Sequence, residues 1–197
     1  MRLDHLAIGA ETLEDGVAWA QEKLGVTFLG GGKHARFGTH NRLLGLADEL
    51  YLEVIAVDPD AKSEGPRWFG LDTFSGPPRL VNWICEPVDF EPTLRHGMQS
   101  VAMQRNDLRW DMGAPADGSL PLGGAYPTVL RWHTDTPPGR SLPTSGVALR
   151  SLTIAHPQAE EIRDELPDLS DPRIQFETAS NVTLQATFDT PKGRVTL

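Results

Sequence analysis

Two runs near the start of the chain carry the period of a strand, and each places one ionisable group where an apolar side chain is expected. They are Leu3-Asp4-His5-Leu6-Ala7-Ile8 and Tyr51-Leu52-Glu53-Val54-Ile55-Ala56-Val57. Simple alternation sends Leu3, His5 and Ala7 to one face of the first run and Asp4, Leu6 and Ile8 to the other. A strand that gives a position to an imidazole or a carboxylate loses apolar burial and must supply that group with a partner, water or a metal. Between the two runs, Thr12 reads as an N-cap with Asp15 three residues on. Leu13, Val17, Ala20 and Leu24 recur at helical spacing, and Gly25 supplies the stop. A strand over Val26 to Leu29 is predicted to enter a Gly30-Gly31-Gly32 loop, followed by strands around His40 to Leu46 and Tyr51 to Val57. The order is βαβββ. A right-handed crossover through the helix then sets the first and fourth strands side by side, which makes His5 and Glu53 neighbours wherever the register matches them.

The pattern restarts twice. Residues 59–78 are rich in Pro, Gly, Ser and Asp and read as a connection after a first module, 1–58. A second module, 79–135, is predicted with a strand from Leu80 to Cys85, a short helix near Asp89 to His96, and strands near Ser100 to Arg105, Leu108 to Met112 and Thr128 to Thr134. A second connection, 136–147, leads to a third module, 148–197. There Leu149-Arg150-Ser151-Leu152-Thr153-Ile154 echoes the opening strand, a helix is predicted over Pro157 to Leu166, and strands near Ile174, Val182 and Arg194 follow. The expected fold class is α+β: repeated βαβββ modules in one unit.

Composition narrows the function classes. With 197 residues, 39% hydrophobic and 23% charged, the chain has ordinary globular composition and enough length for a sizeable core. A formal net charge of -9, from 27 acidic and 18 basic residues, disfavours a phosphate backbone or an anionic lipid surface. The expected partner is a small molecule, with neither nucleic acid nor membrane. The lone cysteine, Cys85, allows no intrachain disulfide, and no leader or apolar span is legible, so a cytoplasmic location is expected. Neither a Gly-x-Ser-x-Gly elbow nor a zinc-protease helix motif is present, and the triglycine run lacks the context of a phosphate loop.

Leu3-Asp4-His5-Leu6, the Gly30-Gly31-Gly32-Lys33-His34 turn, Gly38-Thr39-His40-Asn41 and Tyr51-Leu52-Glu53-Val54-Ile55-Ala56 together resemble the vicinal-oxygen-chelate superfamily, in its glyoxalase-like branch of bacterial proteins. The resemblance implies paired βαβββ modules forming an open cup-shaped sheet. It also implies a divalent metal, Fe, Mn, Zn or Ni, bound by residues from the first and last strands of the modules. His5 and Glu53 match two such positions. The counterparts of His5 in the later repeats, Asn82 and Ser151, are poor ligands, so a symmetric four-ligand site is not expected. His133 is the preferred third ligand and His40 the local alternative. Members include lyases, isomerases, epimerases and extradiol dioxygenases, as well as metal-free proteins that sequester a ligand. Cups in that superfamily are often completed across subunits, which leaves a homodimer open beside a cup finished within the chain.

Asn41, Trp83, Trp110 and Arg131 are the candidate substrate contacts: an amide, two flat aromatic walls and a guanidinium suited to a ligand carboxylate. His34, beside the glycine run, is read as a surface residue. Two functions stand side by side. One is a metal-assisted enzyme in which the ion acts as Lewis acid on vicinal oxygens. The other is a metal-free binding protein in which His5 and Glu53 are polar contacts, or simply each other's ion-pair partners.

Overall fold

A computed structural model describes residues 1–63 and 65–197. The first module is β1 (Arg2–Gly9), α1 (Leu13–Leu24), β2 (Gly30–His34), β3 (Thr39–Gly45) and β4 (Tyr51–Val57). The second is β5 (Arg79–Glu86), a 3-10 turn at Glu91–Thr93, β6 (Met98–Arg105), β7 (Leu108–Pro115), a further 3-10 turn at Pro121–Gly124, and β8 (Thr128–Trp132). One helical turn, α2 (Pro138–Ser141), precedes β9 (Ala148–His156), α3 (Ala159–Asp164), β10 (Ile174–Thr178), β11 (Thr183–Thr190) and β12 (Gly193–Thr196). No helix of the described residues is long and apolar enough to cross a membrane.

Helix α1 begins and ends where its capping residues require. Thr12 Oγ1 accepts from the Asp15 backbone N–H at 3.1 Å, and Gly25 takes the left-handed conformation at φ 71°. Gly16 brings the helix close to β4, since a Cβ there would lie 2.7 Å from Val54 Cγ1.

The first two modules form one eight-stranded mixed sheet, ordered β2-β3-β4-β1-β5-β8-β7-β6 and curled into a half-barrel. β1 runs parallel to β4, β5 parallel to β8, and the modules meet through the antiparallel β1–β5 pair. On the convex face, Leu6, Ile8, Leu52, Val54, Trp83 and Cys85 pack with Leu13, Ala20 and Leu24 of α1. On the concave face, Ala7, Ile55, Ile84, Met112 and Leu130 pack with Trp68, Phe69 and Leu71. The connection between the modules therefore lies across the hollow.

Several local expectations change. β2 starts at the glycines instead of ending before them. Gly31 sits at φ 136°, where a Cβ would come within 2.2 Å of the Asn41 carbonyl oxygen, so the strand passes through a position that demands glycine. Residues 26–29 form an irregular lead-in, with Leu29 70% exposed and the Phe28 N–H donating to the Gln21 side chain. The helix expected near Asp89 to His96 shrinks to a 3-10 turn, because Leu94 leaves helical geometry at ψ 76° and His96 lies at φ 53°. The third unit keeps the βαβββ order but pairs differently: its four-stranded sheet runs β10-β9-β11-β12, with the first strand inside. Its Leu149, Leu152, Ile154, Ala186 and Phe188 join the same apolar cluster as Trp83 and Cys85.

Candidate functional site

An irregularity in β1 builds the floor of the hollow. Leu3 pairs with Cys85 and His5 with Ile84, so Asp4 has no partner on β5 and forms a bulge. The bulge moves Leu3 to the convex core with Leu6 and Ile8 and lets Asp4 reach its own neighbour, which simple alternation forbids. Asp4 Oδ1 lies 2.7 Å from His5 Nδ1, and Asp4 Oδ2 accepts from Trp132 Nε1 at 3.0 Å. Both residues are buried, Asp4 at 1% and His5 at 4% exposure. The carboxylate holds the Nδ1 proton, which leaves Nε2 as the working nitrogen of His5. Tyr51 stacks on the ring with centroids 4.2 Å apart.

β4 supplies the facing group. Ala7 pairs with Glu53 and His5 with Tyr51, so Glu53 stands one pleat along from His5 on the same face. Its Oε2 is 3.7 Å from His5 Nε2, beyond a direct hydrogen bond but within strong charge coupling. Its Oε1 accepts from Asn41 Nδ2. Burial opposes charge on both groups, yet the hydrogen bond to Asp4 and the negative charge of Asp4 and Glu53 raise the His5 pKa above its ordinary value. Burial likewise pushes Glu53 upward, and His5, His34 and Asn41 overcome it, leaving the carboxylate below its ordinary value.

A second polar group adjoins the first. Asn41 Oδ1 accepts from the Gly32 backbone N–H at 2.8 Å and from Arg105 Nη1 at 3.2 Å. Arg105 Nη1 also lies 3.1 Å from His34 Nε2. Because a guanidinium only donates, that imidazole nitrogen is the acceptor, and the His34 proton sits on Nδ1, 3.1 Å from Thr39 Oγ1. Thr39 accepts again from Trp68 Nε1 at 3.0 Å. Burial lowers the His34 pKa to about 4, so this histidine is neutral.

Trp68, Phe69, Trp110, Met112, Leu130 and Trp132 wall the cavity, which encloses about 20 Å³ of free space, room for one water-sized group. Of the residues singled out from sequence, His5, Glu53, Asn41 and Trp110 line this cavity together. The others lie elsewhere. His133 follows Trp132 and points the opposite way, half exposed, with Nε2 2.8 Å from Asp111. Arg131 binds the same Asp111 at 2.6 Å and covers the Phe90 ring. Trp83, fully buried on the convex face, donates to the Ala125 carbonyl. His40 lies next to Asn41 on β3 and so on the opposite face; its buried Nε2 has no partner among the described residues. His34 is 5% exposed and belongs to the cavity, contrary to the surface position expected for it. Treating the glycine run as a strand reveals it, since Gly32 pairs with Asn41 and His34 with Thr39.

Two donors, His5 Nε2 and Glu53 Oε2, face each other, but no third protein ligand joins them. The free nitrogen of His34 is taken by Arg105, and His133 lies outside. Among the described residues no group of three or more His, Cys, Asp or Glu side chains is arranged to hold a metal ion. The donor set therefore does not fit a resident divalent ion with three protein ligands.

The sequence profile of the glyoxalase-like domain matches residues 3–170. No curated protein matches the chain. Among solved structures, a hypothetical protein from Staphylococcus aureus is 11% identical with a TM-score of 0.61, covering 92% of this chain and 87% of that one. Methylmalonyl-CoA epimerase from Mycobacterium tuberculosis is 18% identical with a TM-score of 0.44, covering 66% of this chain and 86% of that one.

Proposed function

Since the chain belongs to the glyoxalase-like domain family of the vicinal-oxygen-chelate superfamily, we propose that its cup binds a small organic molecule bearing two neighbouring oxygens, on which His5 and Glu53 move a proton. The observation that carries this reading is the His5–Glu53 pair itself. The two atoms stand 3.7 Å apart without a hydrogen bond between them, at the floor of an aromatic-walled cavity. Glu53, held ionised and oriented by Asn41, accepts a proton from the carbon beside a carbonyl. The C–H electron pair becomes the enolate, and the protonated His5 Nε2 donates a hydrogen bond to the enolate oxygen. Return of the proton to either face of that carbon completes an isomerase-type step without an oxidant. Asp4 keeps the imidazole in place throughout.

Deuterium wash-in from D2O, followed by NMR on hydroxyacetone and pyruvate, tests this. The expected result is exchange above the buffer rate that falls at least about a hundredfold in Glu53→Gln. Exchange at the buffer rate with the wild type, despite measurable binding, would identify a ligand-sequestering protein instead.

A second reading keeps a divalent ion, Fe, Mn, Zn or Ni, on His5 and Glu53. It is favoured by the Asp4–His5 hydrogen bond, an arrangement that commonly orients an imidazole ligand. Elemental analysis after metal loading decides it, with stoichiometric metal in the wild type and none in His5→Ala or Glu53→Ala as the supporting result.

A further inference from the structure

We propose that Arg105 is the anion-recognition group of the cup, and that the ligand class it selects is a small carboxylate with an oxygen on the adjacent carbon, a 2-oxo or 2-hydroxy acid. This rests on the reading above and adds the identity of one end of the ligand. Arg105 ends β6 in the second module and reaches across to β2 and β3 of the first, so it joins the two halves of the cup at its cavity. Its hydrogen-bond partners are both uncharged: an amide oxygen and an imidazole that burial keeps neutral. Most other arginines are neutralised directly, as Arg2 is by Glu86, Arg131 by Asp111 and Arg173 by Asp171. Among the described residues no carboxylate lies within ion-pair distance of Arg105. A guanidinium held by neutral acceptors keeps its full charge available to an incoming anion.

The same contacts decide which edge is offered. Nη1 makes both hydrogen bonds, while Nη2 and Nε make none among the described residues. Those two nitrogens present the parallel N–H pair that a carboxylate accepts in bidentate fashion. The seat is shaped for this side chain: Gly32 lies beneath it, and a Cβ there would fall 2.8 Å from Arg105 Cδ and 3.3 Å from Nε. Arg105 is half-buried whereas His5 and Glu53 are buried, so an anion meets the guanidinium before the floor. In a chain of net charge -9 this local cation matters, because the averaged field repels anions. With the carboxylate on Arg105, the neighbouring oxygen lies in the cavity that Arg105 and His5 line together.

Binding is read from the fluorescence of the cavity tryptophans, Trp68, Trp110 and Trp132, with pyruvate and its neutral amide, pyruvamide, as probes. The expected result is that the wild type prefers pyruvate by about tenfold or more. Arg105→Gln removes that preference, and Arg105→Lys restores only part of it. Gly32→Ala, which leaves the guanidinium in the chain but displaces it, also lowers the preference. A residue that merely ties the modules together would change both affinities alike and leave their ratio intact. Equal binding of pyruvate and pyruvamide by the wild type, or an unchanged ratio in Arg105→Gln, overturns the proposal while leaving the cup a ligand site. Failure of both probes and of hydroxyacetone to bind overturns it together with the function proposed above.

Discussion

His5 and His34 share one cavity yet hold protons differently, because their neighbours differ. Burial disfavours charge on both. Two carboxylates reverse that effect at His5, whereas His34 faces a guanidinium and stays neutral. The consequence for stability follows from proton counting. Between pH 6.5 and about 4 the unfolded chain protonates His34 and the folded chain does not, so this residue's contribution is complete above 6.5 and is lost as pH falls toward 4. The loss is on the order of 3 kcal/mol. Urea melts across this window are expected to show less acid destabilisation in His34→Gln than in the wild type. For His5, NMR titration of the ring is expected to give a lower pKa in Glu53→Gln than in the wild type, since the substitution removes one of the two carboxylates that raise it.

The β2–β3 hairpin and helix α1 differ in how their disruption reaches the site. Gly31→Ala places a Cβ against the Asn41 carbonyl at a backbone angle that side chains rarely adopt. It is expected to cost about 2 kcal/mol and to weaken pyruvate binding as well, because Asn41 and His34 sit on that hairpin. Thr12→Ala removes the α1 cap on the convex face and is expected to cost about 1 kcal/mol, lowering Tm by about 3 °C. Pyruvate affinity in that variant stays unchanged. Calorimetry and fluorescence titration on the two variants separate the contributions.

Across the whole chain, one apolar cluster joins α1, the eight-stranded sheet and the C-terminal sheet through Leu24, Trp83, Ile154 and Phe188. Phe188→Ala is expected to cost about 3 kcal/mol or more and to shift a single thermal transition, seen equally by far-UV signal and by the cavity tryptophans. Two separate transitions would show that the C-terminal unit folds apart. The other whole-molecule feature is the strap across the hollow. Arg67 is clasped by Asp72 through its backbone N–H at 2.8 Å and Nη1 at 2.7 Å, Gly70 N–H donates to Gly118, and Phe69 sits at φ 60°. Free space of about 20 Å³ at the floor is too small for an organic acid, so binding one requires its walls, Trp68 and Phe69 of the strap among them, to shift. Asp72→Ala is expected to raise the pyruvate association rate in stopped-flow fluorescence, and an unchanged rate would place the entry route elsewhere.

Periodicity and handedness were enough to read α1 with both its caps, the strands of the large sheet other than β2, and the side-by-side placement of β1 and β4 that sets His5 near Glu53, because each depends on contacts local in sequence or on the crossover. The Asp4 bulge was not legible, since it depends on the register between β1 and β5, and strict alternation put Leu3 and Asp4 on the wrong faces. His34 and Arg105 were hidden for a related reason: 71 positions apart, they meet only once the glycines have become a strand and the two modules have closed on each other. Arg131, Trp83 and His40 carried suitable chemistry, but an odd or even position in a strand set their direction, and exact strand boundaries and pairings fix that parity; His133 falls one residue past the end of β8. The chain's pattern thus specified the repeated elements and two floor residues of the cup, while long-range registry chose the remaining polar groups and the charge the cavity presents.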